Sequence, residues 1–335
     1  MSVRNLGLSS RRVPALTLGL LLSFAPLATP LGAQSDGGAI RRVALTFDDL
    51  PVTSGRCDVE QVRHVTAALT RILEERAVPA AGLVTPAGEC STPELLRETL
   101  GRWSEIGATL GNHTATHPDL NATSIDAYLA NIDRAQRLID DAVRTEGRWF
   151  RAPYLHTGDE PRKKQALEAY LAANRYRVAA VTIDNQEWVY AAVYADARNR
   201  GADSLARRVA DAYVEHIEES VAFYERLSMD VFGREIPQVL LLHANLLNAE
   251  QLGRVVDMLA GRGYSFIGMP EALDDPAYAR RDTYVGPRGL SWIQRWALED
   301  GVEVPPEPRE AEWVAEAFRA VQQRAAGESG VPAAS

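Results

Sequence analysis

Hydrophobic and polar positions follow two different periods along most of this chain. Between residue 43 and about residue 275, short apolar runs alternate with longer segments whose apolar residues recur every three or four positions. The runs predict seven strands: Val43–Phe47, Ala80–Thr85, Ala108–Gly111, Trp149–Ala152, Arg177–Ile183, Gln238–Leu242 and Tyr264–Ile267. Strands alternating with helices predict an α/β fold with a parallel sheet, either closed as a barrel or open and doubly wound. Both architectures bind ligands at the carboxyl ends of their strands.

The pattern changes after about residue 275. Asp203–Ser228 is one long helix candidate before this point, whereas residues 280–289 are typical of a loop. A short Trp-rich helix is predicted over Leu290–Leu298, followed by a proline-rich linker and a polar helix over Glu310–Ala325. We therefore expect one barrel domain over residues 34–275 and a surface extension over residues 276–335, with a disordered end after Gly327.

The first 33 residues have the composition of an export signal. Three arginines precede the apolar run Ala15–Ala28, which leads to the small-residue sequence Leu31-Gly32-Ala33. A membrane anchor is the alternative, although the run is short and Pro26 interrupts it. The pattern predicts cleavage, no stable membrane insertion afterwards, and a periplasmic or extracellular protein.

The net charge of the chain limits the kinds of partner, whereas its two cysteines leave the presence of a disulfide open. Without that segment, about 302 residues remain, in which 33 basic residues face 45 acidic ones, a net charge of −12. This balance argues against nucleic acid or an anionic membrane surface as a partner. The only two cysteines, Cys57 and Cys90, are equally compatible with a disulfide and with two free thiols.

Polar groups suited to metal chemistry follow two of the predicted strands. Asp48 and Asp49 come directly after the first strand, where a solvated turn is the simpler interpretation. His113 and His117 follow the third strand, and their spacing predicts two imidazoles on one face of a helical turn. Two imidazoles leave a divalent ion under-coordinated, so a carboxylate is needed, and Asp49 is the nearest candidate in topology.

Three further strand ends carry side chains that could contribute to a functional site. Arg151 closes the fourth strand and is expected to pair with a carboxylate such as Asp48, since an unpaired buried guanidinium is costly. His243 closes the sixth strand, and Trp188 follows the fifth; each taken alone is more typical of a core residue. The other three histidines, at positions 64, 156 and 216, lack matching partners in the sequence and are predicted to lie at the surface.

Together these segments resemble a known family. In order, they are similar to the five motifs of the polysaccharide deacetylases, carbohydrate esterase family four, also called chitooligosaccharide deacetylase homology domains. The matching segments are Thr46-Phe47-Asp48-Asp49, His113-Thr114-Ala115-Thr116-His117, Arg151-Ala152-Pro153-Tyr154, Asp184 through Trp188, and Leu240-Leu241-Leu242-His243. The resemblance implies a distorted (β/α)7 barrel and metal-dependent removal of acetyl groups from N-acetylated sugars. It also implies that the chain after residue 275 lies outside the shared domain.

Position by position, the resemblance implies roles for the reacting groups. Asp48 would be the general base and His243 the general acid. Asp49, His113 and His117 would bind a divalent metal ion, most simply Zn²⁺. Such a site keeps open positions, polarises an amide carbonyl and lowers the pKa of its water.

The resemblance also implies supporting groups. Arg151 would orient Asp48, and the backbone N–H of Tyr154, after Pro153, would help to hold the oxyanion. Asp184, Glu187 and Trp188 would tune His243 or contact substrate.

Three departures from the family pattern suggest a subgroup with a different substrate. Leu50 replaces the usual glycine before proline, which predicts a bulkier entrance beside the base. Glu187 stands where aspartate usually tunes the catalytic histidine, and Asp184 is the alternative partner. His243 is followed by Ala244-Asn245 instead of the more usual aspartate. Hydrolysis of another amide or imide bond, or a carbohydrate-binding envelope protein without turnover, are the alternative functions.

Overall fold

The computed structural model describes residues 41–53, 58–88 and 91–329. The predicted export segment and both cysteines lie outside the described residues, as does the chain from residue 330 onward. Among the described residues, no helix is both long and apolar enough to cross a bilayer.

Seven strands form a single parallel sheet, which confirms the strand predictions within a few residues. Their order in the sheet is β5-β4-β3-β2-β1-β6, with β7 also paired to β1. All recorded pairs are parallel. The strands are β1 (Arg41–Leu50), β2 (Ala80–Val84), β3 (Thr109–Asn112), β4 (Arg148–Phe150), β5 (Tyr176–Val178), β6 (Gln238–His243) and β7 (Tyr264–Phe266).

The predicted strand Arg177–Ile183 is divided, and its second half closes the barrel. β5 ends at Val178, and the N–H of Ala179 still donates to the Phe150 carbonyl of β4. The chain then crosses to β6, where Ile183 forms a parallel bridge with Leu240. An irregular segment therefore joins the two outer strands, β5 and β6, as expected for a distorted (β/α)7 barrel.

Helices surround the sheet, and side-chain caps fix several of their starts. The side chains of Asp58, Thr92 and Ser124 each accept a hydrogen bond from a backbone N–H in the first turn. Among the described residues the α-helices are α1 (Val59–Glu75), α2 (Pro93–Glu105), α3 (Ile125–Ala142), α4 (Pro161–Ala173), α5 (Glu187–Asn199), α6 (Asp203–Phe232), α7 (Leu246–Gly261), α8 (Met269–Ala272), α9 (Trp292–Asp300) and α10 (Glu312–Ser329).

Leu50 does not lie at the entrance beside the proposed base, so that prediction is wrong. Its side chain is completely buried. A Cβ built on Gly82 of β2 would lie 2.5 Å from Leu50 Cδ2, so Gly82 provides the space that Leu50 fills. The larger side chain is accommodated in the core because β2 carries a glycine at the facing position.

The extension after residue 275 contributes to the core. Trp292, Ile293 and Trp296 of α9 are buried in the same hydrophobic cluster as the barrel strands. The backbone N–H of Trp292 also donates to the Val181 carbonyl, at 2.8 Å. The described residues form one compact unit, so α9 packs as an integral part of it rather than on the surface. Helix α10 continues two residues beyond Gly327, where the sequence predicts disorder.

Candidate active site

The carboxyl ends of the strands bring the predicted site residues together. Asp48 of β1 is the register partner of His243 of β6. The N–H of His113, directly after β3, donates to the Val84 carbonyl, and the N–H of Arg151 donates to the Asn112 carbonyl. The predicted convergence of strand ends on one rim is therefore confirmed.

Asp49, His113 and His117 form a cluster that could hold a metal ion. Their ligand atoms all lie within 4.8 Å of one another. Asp49 Oδ1 lies 3.8 Å from His113 Nε2 and 3.6 Å from His117 Nε2. Neighbouring ligands of a tetrahedral zinc ion are about 3.3 Å apart. Shifts of a few tenths of an ångström would therefore close the cluster around an ion.

Asp49 is fixed in this position by its backbone and by two hydroxyls. The register of β1 shifts between Phe47 and Leu50, and Asp49 has a φ of 63°. Thr85 Oγ1 donates to Asp49 Oδ1 at 3.2 Å, and Thr53 Oγ1 donates to Oδ2 at 3.1 Å. Burial raises the pKa of Asp49, but the imidazoles of the cluster outweigh burial and hold it below its usual value.

The segment His113–His117 is a loop, so the predicted helical turn is wrong. Thr114 and His117 have φ values of 68° and 53°, which a right-handed turn excludes. Asn131 of α3 supports the loop: its Oδ1 accepts from the N–H groups of Ala115 and Thr116. The two imidazoles still face one another, with ring centroids 5.0 Å apart. The sequence prediction rested on the spacing of His113 and His117, which gives no information about Asn131.

A hydrogen bond orients His113, and burial favours the metal-binding form of His117. His113 Nδ1 lies 2.9 Å from the Arg151 carbonyl, which can only accept, so Nδ1 carries a proton and Nε2 is the atom directed toward Asp49. Burial, together with the neighbouring His113, lowers the pKa of His117 to about 4. Neutral imidazole is the form that binds metal ions.

Asp48 and Arg151 form a buried ion pair beside the cluster, as predicted. Arg151 Nη1 lies 2.5 Å from Asp48 Oδ1 and 2.9 Å from Thr46 Oγ1, while its Nε donates to the Ala179 carbonyl. The Arg151 side chain is fully buried, and burial lowers its pKa despite the nearby Asp48. Asp48 Oδ2 lies 3.7 Å from His113 Nε2, next to the candidate metal position.

Glu187, and not Asp184, is the partner of His243. Glu187 Oε2 lies 2.7 Å from His243 Nδ1. Its other oxygen accepts from the side-chain amides of Asn245 and Asn248. Burial lowers the pKa of His243, but the Glu187 carboxylate more than offsets burial and raises it to about 9. The sequence singled out Asn245 only as a departure, and it did not point to Asn248.

Asp184 has a different environment. Its Oδ1 accepts from the N–H of Asn185 at 2.8 Å. Burial, with a contribution from the nearby Glu307, raises the pKa of Asp184 to about 7. Asp184 is therefore only partly ionised at neutral pH.

The turn after β4 places Tyr154 against the candidate metal ligands. Pro153 is buried, whereas Tyr154 is 55% exposed. Tyr154 and Leu155 both have positive φ, 58° and 54°. The Tyr154 ring packs edge-on against His117, with centroids 4.6 Å apart. The backbone of Tyr154 is thereby held beside the cluster.

Trp188 lies at the rim, so the interpretation of it as a core residue is wrong. It is 48% exposed and contacts Phe318 of α10. Together with His243 and Asn245 it lines a cavity of about 510 Å³ whose far wall includes Arg324.

The three remaining histidines were predicted to lie at the surface, which is correct only for His64. His216 is buried and stacks on Tyr190, with centroids 5.1 Å apart. His156 Nδ1 lies 2.7 Å from Asp119 Oδ1. Both therefore have partners that the sequence did not reveal.

The rim combines a cluster of two imidazoles and one carboxylate with an arginine-paired carboxylate, Asp48, and a carboxylate-paired imidazole, His243. Such a combination is typical of metal-dependent hydrolases. Residues 36–172 match the family described as polysaccharide deacetylase. The chain is 31% identical over 135 residues to a chitooligosaccharide deacetylase from Bradyrhizobium sp. (strain ANU 289), covering 40% of this chain and 55% of that protein. The chain spans about half the length of the curated relatives it matches. Residues 36–172 are therefore similar in sequence to polysaccharide deacetylases.

Two solved structures are similar at low identity. The chitin deacetylase from the fungal pathogen Colletotrichum lindemuthianum has a TM-score of 0.47 and 23% identity, over 70% of this chain and 87% of that chain. A pseudoenzyme of carbohydrate esterase family four from Bacillus anthracis has a TM-score of 0.47 and 16% identity, over 71% of this chain and 66% of that chain.

Proposed function

We propose that this protein is a metal-dependent N-deacetylase that hydrolyses the acetamide group of an N-acetylated oligo- or polysaccharide. One observation carries the proposal. The Asp49, His113 and His117 cluster lies beside an arginine-paired carboxylate, Asp48, and on the same rim as a carboxylate-paired imidazole, His243. A Lewis acid, a base for water and an acid for the leaving amine together accelerate hydrolysis of an unactivated amide.

The donor set fits zinc among divalent ions. Two imidazole nitrogens and one carboxylate oxygen are ligands that Zn²⁺ accepts in catalytic sites, with a fourth position left for water or substrate. An ion bound there would polarise the amide carbonyl and lower the pKa of its bound water toward neutral pH. The chain supplies the rest of the chemistry through its own side chains and backbone.

Asp48 is the proposed general base. Its Oδ1 is occupied by Arg151 at 2.5 Å, while Oδ2 faces the cluster, 3.7 Å from His113 Nε2. Oδ2 is therefore the atom that takes the proton from the attacking water. The buried guanidinium of Arg151 fixes the orientation of the carboxylate.

His243 is the proposed general acid. A pKa of about 9 keeps the imidazole protonated at neutral pH. Because Glu187 holds Nδ1, the remaining ring nitrogen, Nε2, delivers the proton to the departing amine. The amine leaves as a neutral group, and Glu187 stabilises the charge that His243 carries before the transfer.

Tyr154 is the proposed backbone donor to the substrate oxygen on which negative charge develops. Its N–H belongs to a turn in which Tyr154 and Leu155 both have a left-handed backbone conformation. Its ring packs on His117, which keeps this N–H close to the candidate metal ligands. Removal of one such donor in other enzymes costs about 10²–10³ in kcat.

The sugar and its surroundings are part of the proposal. The cavity beside His243 and Trp188 is the expected position of the sugar that carries the leaving amine, since the acid must reach that nitrogen. Export to the periplasm or the outside of the cell rests on the sequence pattern of residues 1–33 alone.

A second candidate is hydrolysis of another non-peptide amide or imide bond by the same groups. Val321 and Arg324 of α10 form part of the wall of that cavity, and they lie beyond the matched residues 36–172. The leaving-group side of the site is thus partly built from residues outside the family match, where substrate preference can differ.

The test is a panel of substrates assayed with added Zn²⁺ and with a chelator, by acetate release for the N-acetylated sugars and by the mass of the hydrolysis products for the other amides and imides. Chitooligosaccharides, peptidoglycan fragments and N-acetylated monosaccharides form one arm, and small non-sugar amides and imides form the other. Chelator-sensitive acetate release in the first arm supports deacetylation. Turnover in the second arm alone selects the second candidate. Zinc-loaded protein that turns over neither arm contradicts both.

A further inference from the structure

The C-terminal extension contacts the turn that carries Tyr154, and a buried arginine makes most of these contacts. Arg295 of α9 is only 2% exposed. Its Nη2 donates to the Leu155 carbonyl at 2.6 Å, and its Nη1 donates to Thr157 Oγ1 at 2.8 Å. The guanidinium therefore bonds residues one and three positions after Tyr154.

Arg295 is itself held in place by the extension. Its Nε donates to the Leu290 carbonyl at 2.9 Å, and Nη1 also contacts Asp282 Oδ2 at 2.6 Å. The guanidinium lies over the Trp292 ring, 4.2 Å from its centroid. A planar group with this many fixed partners has little freedom to move, so its bonds to the turn are geometrically restrictive.

A glycine of the extension makes a second, independent contact with the same turn. A Cβ built on Gly289 would lie 1.8 Å from the Tyr154 carbonyl oxygen. The backbone of the loop therefore lies directly against the Tyr154–Leu155 peptide, and only glycine permits that approach. Nearby, the N–H of Gly286 donates to the Gly158 carbonyl at 3.3 Å.

We propose that Arg295 and Gly289 position the Pro153–Leu155 turn for catalysis, so that the extension completes the active site although it lies outside residues 36–172. This inference rests on the proposed function, in which the Tyr154 N–H stabilises charge on the substrate. Two consecutive residues with positive φ are unfavourable for non-glycine side chains, and the turn keeps this conformation because surrounding contacts impose it. Arg295 is a positioning residue, since it reaches the reaction only through the turn.

The experiment compares Arg295→Met and Gly289→Ala with two matched controls. Arg280→Met removes an arginine of the same extension that pairs with Asp300, at 2.7 Å. Gly253→Ala adds a methyl group in α7, where nothing lies within 4 Å of the new Cβ. Both controls are expected to keep wild-type kcat and KM.

We expect both test variants to lower kcat about 10- to 100-fold with KM changed less than about threefold, because a misplaced donor affects the transition state more than the bound substrate. Amide exchange in peptides covering residues 153–158 should rise in both variants and stay unchanged in the controls. Arg295→Lys, which keeps the buried charge and can still donate to the Leu155 carbonyl, should recover part of kcat. Asp282 also pairs with Lys164, at 2.6 Å, so it keeps a charged partner when Arg295 is replaced by methionine.

Unchanged kcat in Arg295→Met and Gly289→Ala would overturn the proposal, as would unchanged exchange at residues 153–158. A rise in exchange with equal losses in kcat for the two controls would also overturn it, since the effect would then reflect general loosening. If Arg295→Met does not fold, Gly289→Ala and Arg295→Lys give the same readouts. Wild-type protein without any turnover would refute the proposed function, and the exchange measurement would still decide whether the extension holds the turn.

Discussion

Glu187 Oε2 lies 2.7 Å from His243 Nδ1, which joins the first turn of α5 to the last residue of β6. The carboxylate is almost completely buried, and two asparagine amides satisfy its second oxygen. The carboxylate acts on the imidazole where solvent screening is weak, and it raises the pKa of His243.

Replacing Glu187 should change the pH dependence of the reaction. His243 acts as an acid only while protonated, so wild-type kcat should fall as pH rises through about 9. In Glu187→Gln, burial still lowers the pKa while the charge that raises it is gone. The alkaline limb should move down by about one to two pH units, since a hydrogen bond to a charged group is worth about 1.5–3 kcal/mol. Asp184→Asn is the control and should move the limb much less.

The same pair also makes stability depend on pH. The folded-state pKa of His243 is raised from 6.5 to about 9, so the pair stabilises the fold fully below pH 6.5. This contribution is lost as pH rises through about 9. Urea unfolding of wild type and Glu187→Gln should therefore give a difference in free energy that shrinks between pH 7 and pH 10. A constant difference would contradict the assignment.

Asp48→Asn should abolish turnover without removing the metal. An amide cannot take a proton from water, and general bases contribute about 10²–10⁴-fold to rate. Asp48 is outside the set of ligand atoms within 4.8 Å, so zinc content measured after dialysis should match wild type. Asp49→Asn is the comparison and should lose both zinc and activity. Loss of zinc from Asp48→Asn would show that the two carboxylates have been assigned the wrong way round.

His117→Gln should weaken metal binding strongly. Loss of a residue that merely supports a ligand costs about 10- to 100-fold in metal affinity, so loss of a direct ligand should cost more than about 100-fold. Competition with a chromogenic zinc chelator measures this directly. His64→Gln, on the exposed face of α1, provides the control and should bind zinc as wild type does. Unchanged affinity in His117→Gln would exclude this cluster as the metal site.

Arg151→Met should destabilise the fold as well as stop catalysis. Removal of one partner from a buried ion pair costs about 3–5 kcal/mol, because Asp48 keeps a buried and uncompensated charge. The control is Arg76→Met, whose pair with Asp257 is about half exposed and should be worth about 1 kcal/mol or less. Equilibrium unfolding in urea gives both values, and equal losses would contradict the difference in burial.

Leu50→Ala tests whether this position acts on the core or on substrate. The structure predicts a loss of about 2–5 kcal/mol in unfolding free energy, since a fully buried leucine is truncated over Gly82. KM should not change. Leu298→Ala, at a position that is 54% exposed, should cost about 0.5 kcal/mol or less. A lower KM with unchanged stability would instead indicate that the Leu50 side chain lies at the substrate entrance.

Strand positions and most of the site were predictable because their signals are local. Apolar runs of strand length identified all seven strands, and residues that follow parallel strands must meet at one edge of the sheet. The sequence alone therefore grouped Asp49 with His113 and His117, and paired Arg151 with Asp48. Both groupings follow from topology and from the cost of leaving buried charges unpaired.

Contacts between residues distant in sequence were decided only by the tertiary structure. Glu187 and Asp184 both follow β5, and only packing of α5 against β6 and α7 brings Glu187 to His243. The orientation of Leu50 depends on Gly82, 32 positions away. The contact of Arg295 with the Tyr154 turn spans 140 residues, to Leu155.

The placement of the adjacent carboxylates Asp48 and Asp49 depends both on local sequence and on tertiary contacts. Their position at the end of β1 follows from the sequence alone, and successive residues of a strand point to opposite faces. The register shift in β1 and the positive φ of Asp49, which separate them into a base and a metal ligand, depend on pairing with β2 and on the hydroxyls of Thr53 and Thr85. A local pattern states which groups are present at a strand end, and only the packed neighbours determine which way each one faces.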